Sequence, residues 1–120
     1  RDRDVTGVQT CALPILEWYR KGVAEDPNVR ETWIALSSAA SRRKLWSESY
    51  GAAMSALAIT EPNYSYTATP DSFSSKPHDL AALAAYYLGL KEEALKHGTK
   101  AVELEPTNER LIKNLEFYKE

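Results

Sequence analysis

Residues 77–118 read PHDLAALAAYYLGLKEEALKHGTKAVELEPTNERLIKNLEFY. Two runs of helical period meet at Gly89, and the second closes at Glu105-Pro106. Ala82 and Ala85 stand at i, i+3 in the first run; Ala94, Gly98 and Ala101 stand at i, i+4, i+7 in the second. Each run therefore carries a stripe of small residues along one helical face. Helices whose facing stripes lack bulk can approach to about 8–10 Å between axes. Gly89 suits the turn between them, because glycine adopts a left-handed conformation without a Cβ penalty. Pro106 cannot continue a helix. The stretch predicts an antiparallel helix–turn–helix unit. Glu109–Lys119, with Leu111, Leu115 and Tyr118 at i, i+4, i+7, predicts a further helix or cap.

The same reading extends upstream. Leu16–Glu25 is a short amphipathic run stopped by Asp26-Pro27-Asn28, and Arg30–Lys44 with Trp46–Thr60 predicts a second helical pair. Trp33, Leu36 and Ala40 share one face of the first helix; Ala53, Ala56 and Leu57 share one face of the second. These units resemble tetratricopeptide (TPR) repeats, whose pattern is W-x2-L-G-x2-Y in helix A, A-x3-F in helix B and a closing Pro. Trp33, Leu36, Ser37 and Ala40 take the helix A positions, and Ser49, Ala53 and Ala56 follow on helix B. His78, Ala82, Ala85, Gly89, Ala94, Gly98 and Ala101 repeat the frame. Ser37 and Ala40 depart from the usual Gly and Tyr, and His78 and Lys91 stand where aromatics are usual. The resemblance implies an all-α fold: a short right-handed α-solenoid of two full repeats flanked by half repeats.

Ala56 and Ala101 are 45 positions apart, well beyond a period of about 34. The excess is Glu61–Lys76, EPNYSYTATPDSFSSK, rich in Ser, Thr and Pro. Such side chains compete with regular backbone ladders, so it reads as an inserted loop. Tyr64, Tyr66 and Phe73 argue for a packed one, its rings covering the gap between repeats.

Val5–Ile15, VTGVQTCALPI, resembles the in-frame translation of a common sequencing adapter, with Arg1–Asp4 read from adjoining bases. Residues 1–15 are accordingly set aside as unstructured or spurious, and 16–120 are taken as the helical domain of a C-terminal fragment. The excluded stretch contains Asp2-Arg3-Asp4, a spacing that can hold a divalent metal, and Cys11, the single cysteine. Neither is assigned a metal role.

A net charge of −2 leaves no electrostatic footprint for nucleic acid. The longest apolar run, Leu80–Leu90, has eleven residues and does not reach a membrane span. Cysteine is missing from 16–120, which fits a reducing, cytoplasmic setting. His78 and His97 lack a third ligand at metal spacing. His78, between Pro77 and Asp79, reads as a helix-start residue, and His97 as a surface or inter-helix residue. Glu92 and Lys96 form an i, i+4 pair on a solvated face. Arg42-Arg43-Lys44 complements a helix C-terminus. Asn63-Tyr64-Ser65 is a chance acceptor triplet. No phosphate loop or nucleophilic triad is present, so no catalytic residue, metal ligand or cofactor site is assigned.

What remains is the concave face lined by helix A residues in TPR arrays. By position it comprises Glu31, Ile34, Ser38 and Arg42, then Asp79, Leu83, Tyr86 and Tyr87, then Arg110 and Lys113. Tyr side chains suit recognition, apolar in body and polar at the tip; they also fill helix interfaces, the role expected for at least one of Tyr86 and Tyr87. The wording PHDLAALAAYYLG…EEAL.HG.KAVEL.P.NERL..NL.FY, with EWYRKGVAEDPN upstream, is similar to the C-terminal repeat region of bacterial and phage family 2 glycosyltransferases. That resemblance covers 16–119. It implies a parent enzyme using a nucleotide sugar and a divalent metal, neither held by this segment, and a non-catalytic tail that docks a protein or a glycan acceptor. A free-standing TPR adaptor binding a peptide is the alternative, and an unrelated small enzyme the third.

Overall fold

The computed structural model describes residues 12–59 and 75–120, with side chains from Ile15 onward. Among the described residues there are six α-helices and no strand: α1 (Ala12–Glu25), α2 (Arg30–Arg42), α3 (Trp46–Ala58), α4 (Lys76–Tyr87), α5 (Lys91–Leu104) and α6 (Glu109–Lys119). Residues 1–11 and 60–74, which hold most of the excluded N-terminal stretch and of the insertion, lie outside the described residues. α1 begins at Ala12 and so takes in residues 12–15 of the stretch set aside above.

α2/α3 and α4/α5 are the two full repeats, with α1 and α6 flanking them. Each helix packs mainly on its neighbours in the chain, and α2 also meets α4. The packing follows from the small-residue stripes. Ala40, Ala53, Ala56, Ala82, Ala85 and Ala94 are wholly inaccessible, and Ala101 nearly so. One core joins Leu16, Val23, Leu36, Ala39, Ala40 and Ala52, with Tyr19 and Trp33 against it. The other joins Ala82, Ala85, Ala94 and Tyr118, with Tyr50, Tyr86 and Leu95 against it. On α1, Val23 is buried in the first core, while Trp18 stays 73 % exposed.

The two hairpins share one turn. In the first, the Leu45 N–H bonds the Ala40 carbonyl at 2.9 Å and the Lys44 N–H bonds that of Ser41 at 2.9 Å. In the second, Leu90 bonds Ala85 at 2.8 Å and Gly89 bonds Tyr86 at 3.1 Å. This paired pattern is a Schellman cap, which places one residue in the left-handed region. Gly89 has φ 82° and Lys44 has φ 62°. The first helix of this pair therefore stops at Arg42 rather than at Lys44, because Lys44 turns the chain. α3 similarly ends at Ala58, with Ile59 extended at φ −85°, ψ 102°. α6 starts where Asn108 Oδ1 accepts from the backbone N–H groups of Arg110 at 3.1 Å and Leu111 at 3.4 Å.

The crossing points are filled differently. In the second repeat Ala82 faces Ala94; in the first the equivalent positions are Ser37 and Ser49, both fully buried. Their hydroxyls satisfy each other's backbone. Ser37 Oγ donates to the Ser49 carbonyl at 2.7 Å, and Ser49 Oγ donates to the Ser37 carbonyl at 2.9 Å.

Two outcomes follow. Lys44→Gly is expected to raise stability by about 0.5–1 kcal/mol and Gly89→Ala to lower it by about 1–2 kcal/mol, read as opposite shifts in melting temperature. Ser37→Ala and Ser49→Ala are each expected to cost about 1 kcal/mol in denaturant unfolding, and the double variant less than their sum, since it reproduces the alanine pair of the second repeat.

Candidate functional site

α2, α4 and α6 are the first helices of successive repeats, and they carry all the face residues read from the sequence. Pro77 sits in the first turn of α4 and is buried there, and Asp79 supplies the acidic residue of that turn. Asp79 Oδ2 accepts from Arg110 Nη2 at 3.0 Å, which joins α4 to α6. On α2, Arg42 Nη1 donates to Ser38 Oγ at 2.9 Å. Lys113 is exposed, and Glu31 and Leu83 are half-buried. Ile34 is an exception: it is buried and unavailable, because the helix turns it toward the core side of α2.

The two tyrosines separate into the two roles. Tyr86 packs against the second core, with ring centroids 4.9 Å from Phe117 and 5.6 Å from Tyr118. Tyr87 is 55 % exposed and lies flat on Trp46, with centroids 4.4 Å apart and ring planes 9° apart. Tyr86 braces it edge-on at 5.2 Å. Phe117 is also about half exposed. Trp46, Tyr87, Tyr86 and Phe117 thus form one connected aromatic strip across α3, α4 and α6, with the buried Tyr118 ring beneath it. Trp46 and Phe117 were not read as part of the face, since Trp46 belongs to a helix B and Phe117 to the polar side of the expected α6 stripe.

Behind the strip, α6 seats on Gly98 of α5. A Cβ added at Gly98 would stand 2.9 Å from Tyr118 Cδ2 and 3.3 Å from Leu115 Cδ1. Tyr118 is buried, and burial pushes its hydroxyl well above the ordinary phenol range. That hydroxyl makes no hydrogen bond among the described residues.

The histidines, read singly from the sequence, come together. His78 Nδ1 and His97 Nδ1 are 3.1 Å apart, and His97 is buried. Burial, with His97 and the charges of Lys100, Arg30 and Lys96, lowers His78 to about 4. Burial also lowers His97, against a smaller opposing pull from Glu93. The repeat offset was the signal for this contact: His78 stands at the Trp33 position and His97 at the Ala52 position, and Trp33 and Ala52 share the first core. A large and a small residue are replaced by two rings of middle size. Among the described residues no group of three or more His, Cys, Asp or Glu is placed to hold a metal. Glu92 and Lys96 make no ion pair among the described residues; both side chains stand in solvent. Along α5 the ion pair is Lys100 with Glu103 at 3.9 Å, and His97 Nε2 stands 3.6 Å from Glu93 Oε1. No described helix is long and apolar enough to cross a membrane.

This architecture is that of a TPR-like helical repeat domain. The chain is similar to a solved structure described as the first TPR of Spaghetti (RPAP3) bound to the HSP90 peptide SRMEEVD. The match has a TM-score of 0.74 and 25 % identity, and covers 92 % of this chain and 79 % of that one. No protein-family description and no curated protein matches the sequence.

Gly98→Ala tests the seat of α6. Alanine favours a helix over glycine by about 1 kcal/mol, but the ring it meets is held by Tyr86 and cannot swing away. Overpacking costs about 1–3 kcal/mol. The substitution is expected to lower the melting temperature and to weaken the near-ultraviolet tyrosine signal; a rise in melting temperature would show that α6 is loosely seated.

Proposed function

We propose that this chain is a TPR-type docking module that holds an extended peptide segment of a partner protein along the α2–α4–α6 face. The observation that supports this most is Tyr87. An exposed aromatic ring is ordinarily mobile and costs entropy to immobilise. Here stacking on Trp46 and edge contact with Tyr86 hold it in place, so little ordering is left for a ligand to supply. Rigid aromatic anchors of this kind dominate recognition surfaces. A TPR domain of similar fold holds a peptide, which supports the same use here. Of the cations on the face, Arg110 is engaged by Asp79. Arg42 and Lys113 then stand exposed at its two ends, suited to acidic groups flanking a central apolar residue. Among the described residues no constellation for acid–base or nucleophilic work is formed, and we read the role as binding.

A finer reading rests on the wording of 16–119 alone: the module is the tail of a family 2 glycosyltransferase and docks its protein partner or glycan acceptor. Reading the coding sequence upstream of residue 16 separates this from a free-standing adaptor. A transferase domain supports the tail, and further repeats alone support the adaptor.

The docking role is tested by titrating labelled extended peptides and following backbone amide resonances. Perturbations are expected on α2, α4 and α6. Tyr87→Ala is expected to weaken binding roughly tenfold or more, with helix content retained because that ring is exposed. Perturbations confined to α3 and α5, or binding indifferent to Tyr87, would refute the assigned face.

A further inference from the structure

The His78–His97 contact has a geometry of its own. The ring centroids are 5.3 Å apart and the planes are tilted by 29°. That separation exceeds the 3.1 Å between the Nδ1 atoms by about two ring radii. The imidazoles therefore meet edge to edge, each Nδ1 aimed at the other. Lone pairs aimed at one another suit a single shared proton; a metal needs both to converge on a third point.

The surroundings select the tautomers. Among the described residues His97 Nε2 is buried without a hydrogen bond, and Glu93 Oε1 stands 3.6 Å from it. A proton on that nitrogen faces a carboxylate favourably; a lone pair there would be repelled. His97 thus carries its proton on Nε2 and accepts at Nδ1 from the Nδ1–H of His78. His78 Nε2 remains as the site for the next proton. A second added proton has only His97 Nδ1 to occupy, where it would face the N–H of His78 directly.

The charges around the pair oppose both additions. Arg30 reaches it from α2, and Lys96 and Lys100 from α5. Glu93 is the counter-charge, and α3 contributes the Tyr50 hydroxyl, which donates to Glu93 at 3.4 Å. Glu103 lies with His78, His97 and Lys100 on the wall of an open cavity of about 280 Å³. It pairs with Lys100. On α4 itself Lys76 and Asp79 flank His78 in sequence, and Asp79 is engaged by Arg110. From α6, Tyr118 and Leu115 pack on the Gly98 side of α5.

We propose that the His78–His97 pair is a pH-sensitive clasp between α4 and α5, closed when both imidazoles are neutral and opened by their protonation. The direction follows from linkage. Both folded-state values lie below the ordinary 6.5, so the unfolded chain takes up protons first as pH falls. The stability contributed by the clasp is complete above about pH 6.5 and is lost progressively toward pH 4. In that window His78 shifts the unfolding equilibrium by up to about tenfold per pH unit, and His97 adds to it in the same direction. As a regulator of the α4 face the clasp rests on the docking role proposed above; as a stability device it does not.

The full chain is unfolded in denaturant at steps from pH 7.5 to pH 4.5, beside the variant His78→Trp/His97→Ala, which copies the residues of the first repeat into the second. The variant removes both titrating groups while keeping a large–small filling, and carboxylate effects common to both proteins cancel in the difference. The unfolding constant of the natural chain is expected to rise relative to the variant by roughly tenfold or more between pH 6.5 and pH 5. Equal pH dependence in the two proteins overturns the clasp. So does ring titration of both histidines near 6.5 in the folded chain, read from imidazole proton resonances, which stands even if the variant fails to fold. Peptide binding is measured separately at pH 7.5, so failure of the docking role leaves the stability result intact.

Discussion

Close approach of helix backbones is the constraint on which the rest depends. A short helix gains little from its own hydrogen bonds and is stable only when one face is buried. The helices here have eleven to fourteen residues. Alanine, serine and glycine at the crossings bring backbones near enough for the flanking Leu, Tyr and Trp side chains to interlock. Replacing any of these small residues by a larger one separates two helices along their whole contact. Stability in such an array is a sum of neighbouring interfaces, and the pattern of packing along this chain, each helix chiefly on the next, is that case.

One frame accommodates two chemistries. At the crossing, the first repeat uses reciprocal serine hydrogen bonds and the second uses alanines. At the next layer, the first repeat uses Trp33 with Ala52 and the second uses His78 with His97. At the turn, Lys44 and Gly89 occupy the same backbone state at different cost. The frame tolerates the two buried exchanges because each preserves local volume or satisfies its own polar atoms, the two conditions a close-packed interior imposes; the turn exchange is open to solvent and only has to meet the backbone state. Only the histidine exchange adds groups whose ordinary titration lies near neutrality and which burial holds below it, so the proposed pH sensitivity belongs to the second repeat alone.

Those exchanges also explain what was legible in the sequence. Helix identity was, because Ala82, Ala85, Ala94, Gly98 and Ala101 recur on helical period and Pro27 and Pro106 interrupt it. Helix ends were less so: Lys44 reads as a good helix residue, and nothing local announces that the cap forces it into the left-handed region. The docking face was partly legible. Position alone placed Tyr87, Arg42 and Lys113 outward, but it also nominated Ile34, which the core claims. The Trp46–Tyr87 stack and the histidine pair were not legible, because each joins residues whose separation means nothing until two helices are laid side by side. The 45-residue offset could have revealed the second, through the swap against Trp33 and Ala52.

The aromatic strip and the histidine pair sit on the same helix, near opposite ends. His78 lies in the first turn of α4 and Tyr87 is its last residue. Between them the helix is fixed by Ala81, Ala82, Ala84 and Ala85, none of which has rotamers to absorb a displacement. Leu83 and Tyr86 add to that hold, Tyr86 against Phe117 and Tyr118, and Asp79 ties the first turn to Arg110 of α6. The small residues that let α4 lie close to its neighbours thus leave its chemistry to its two ends, the histidine contact at the start and the exposed ring at the finish.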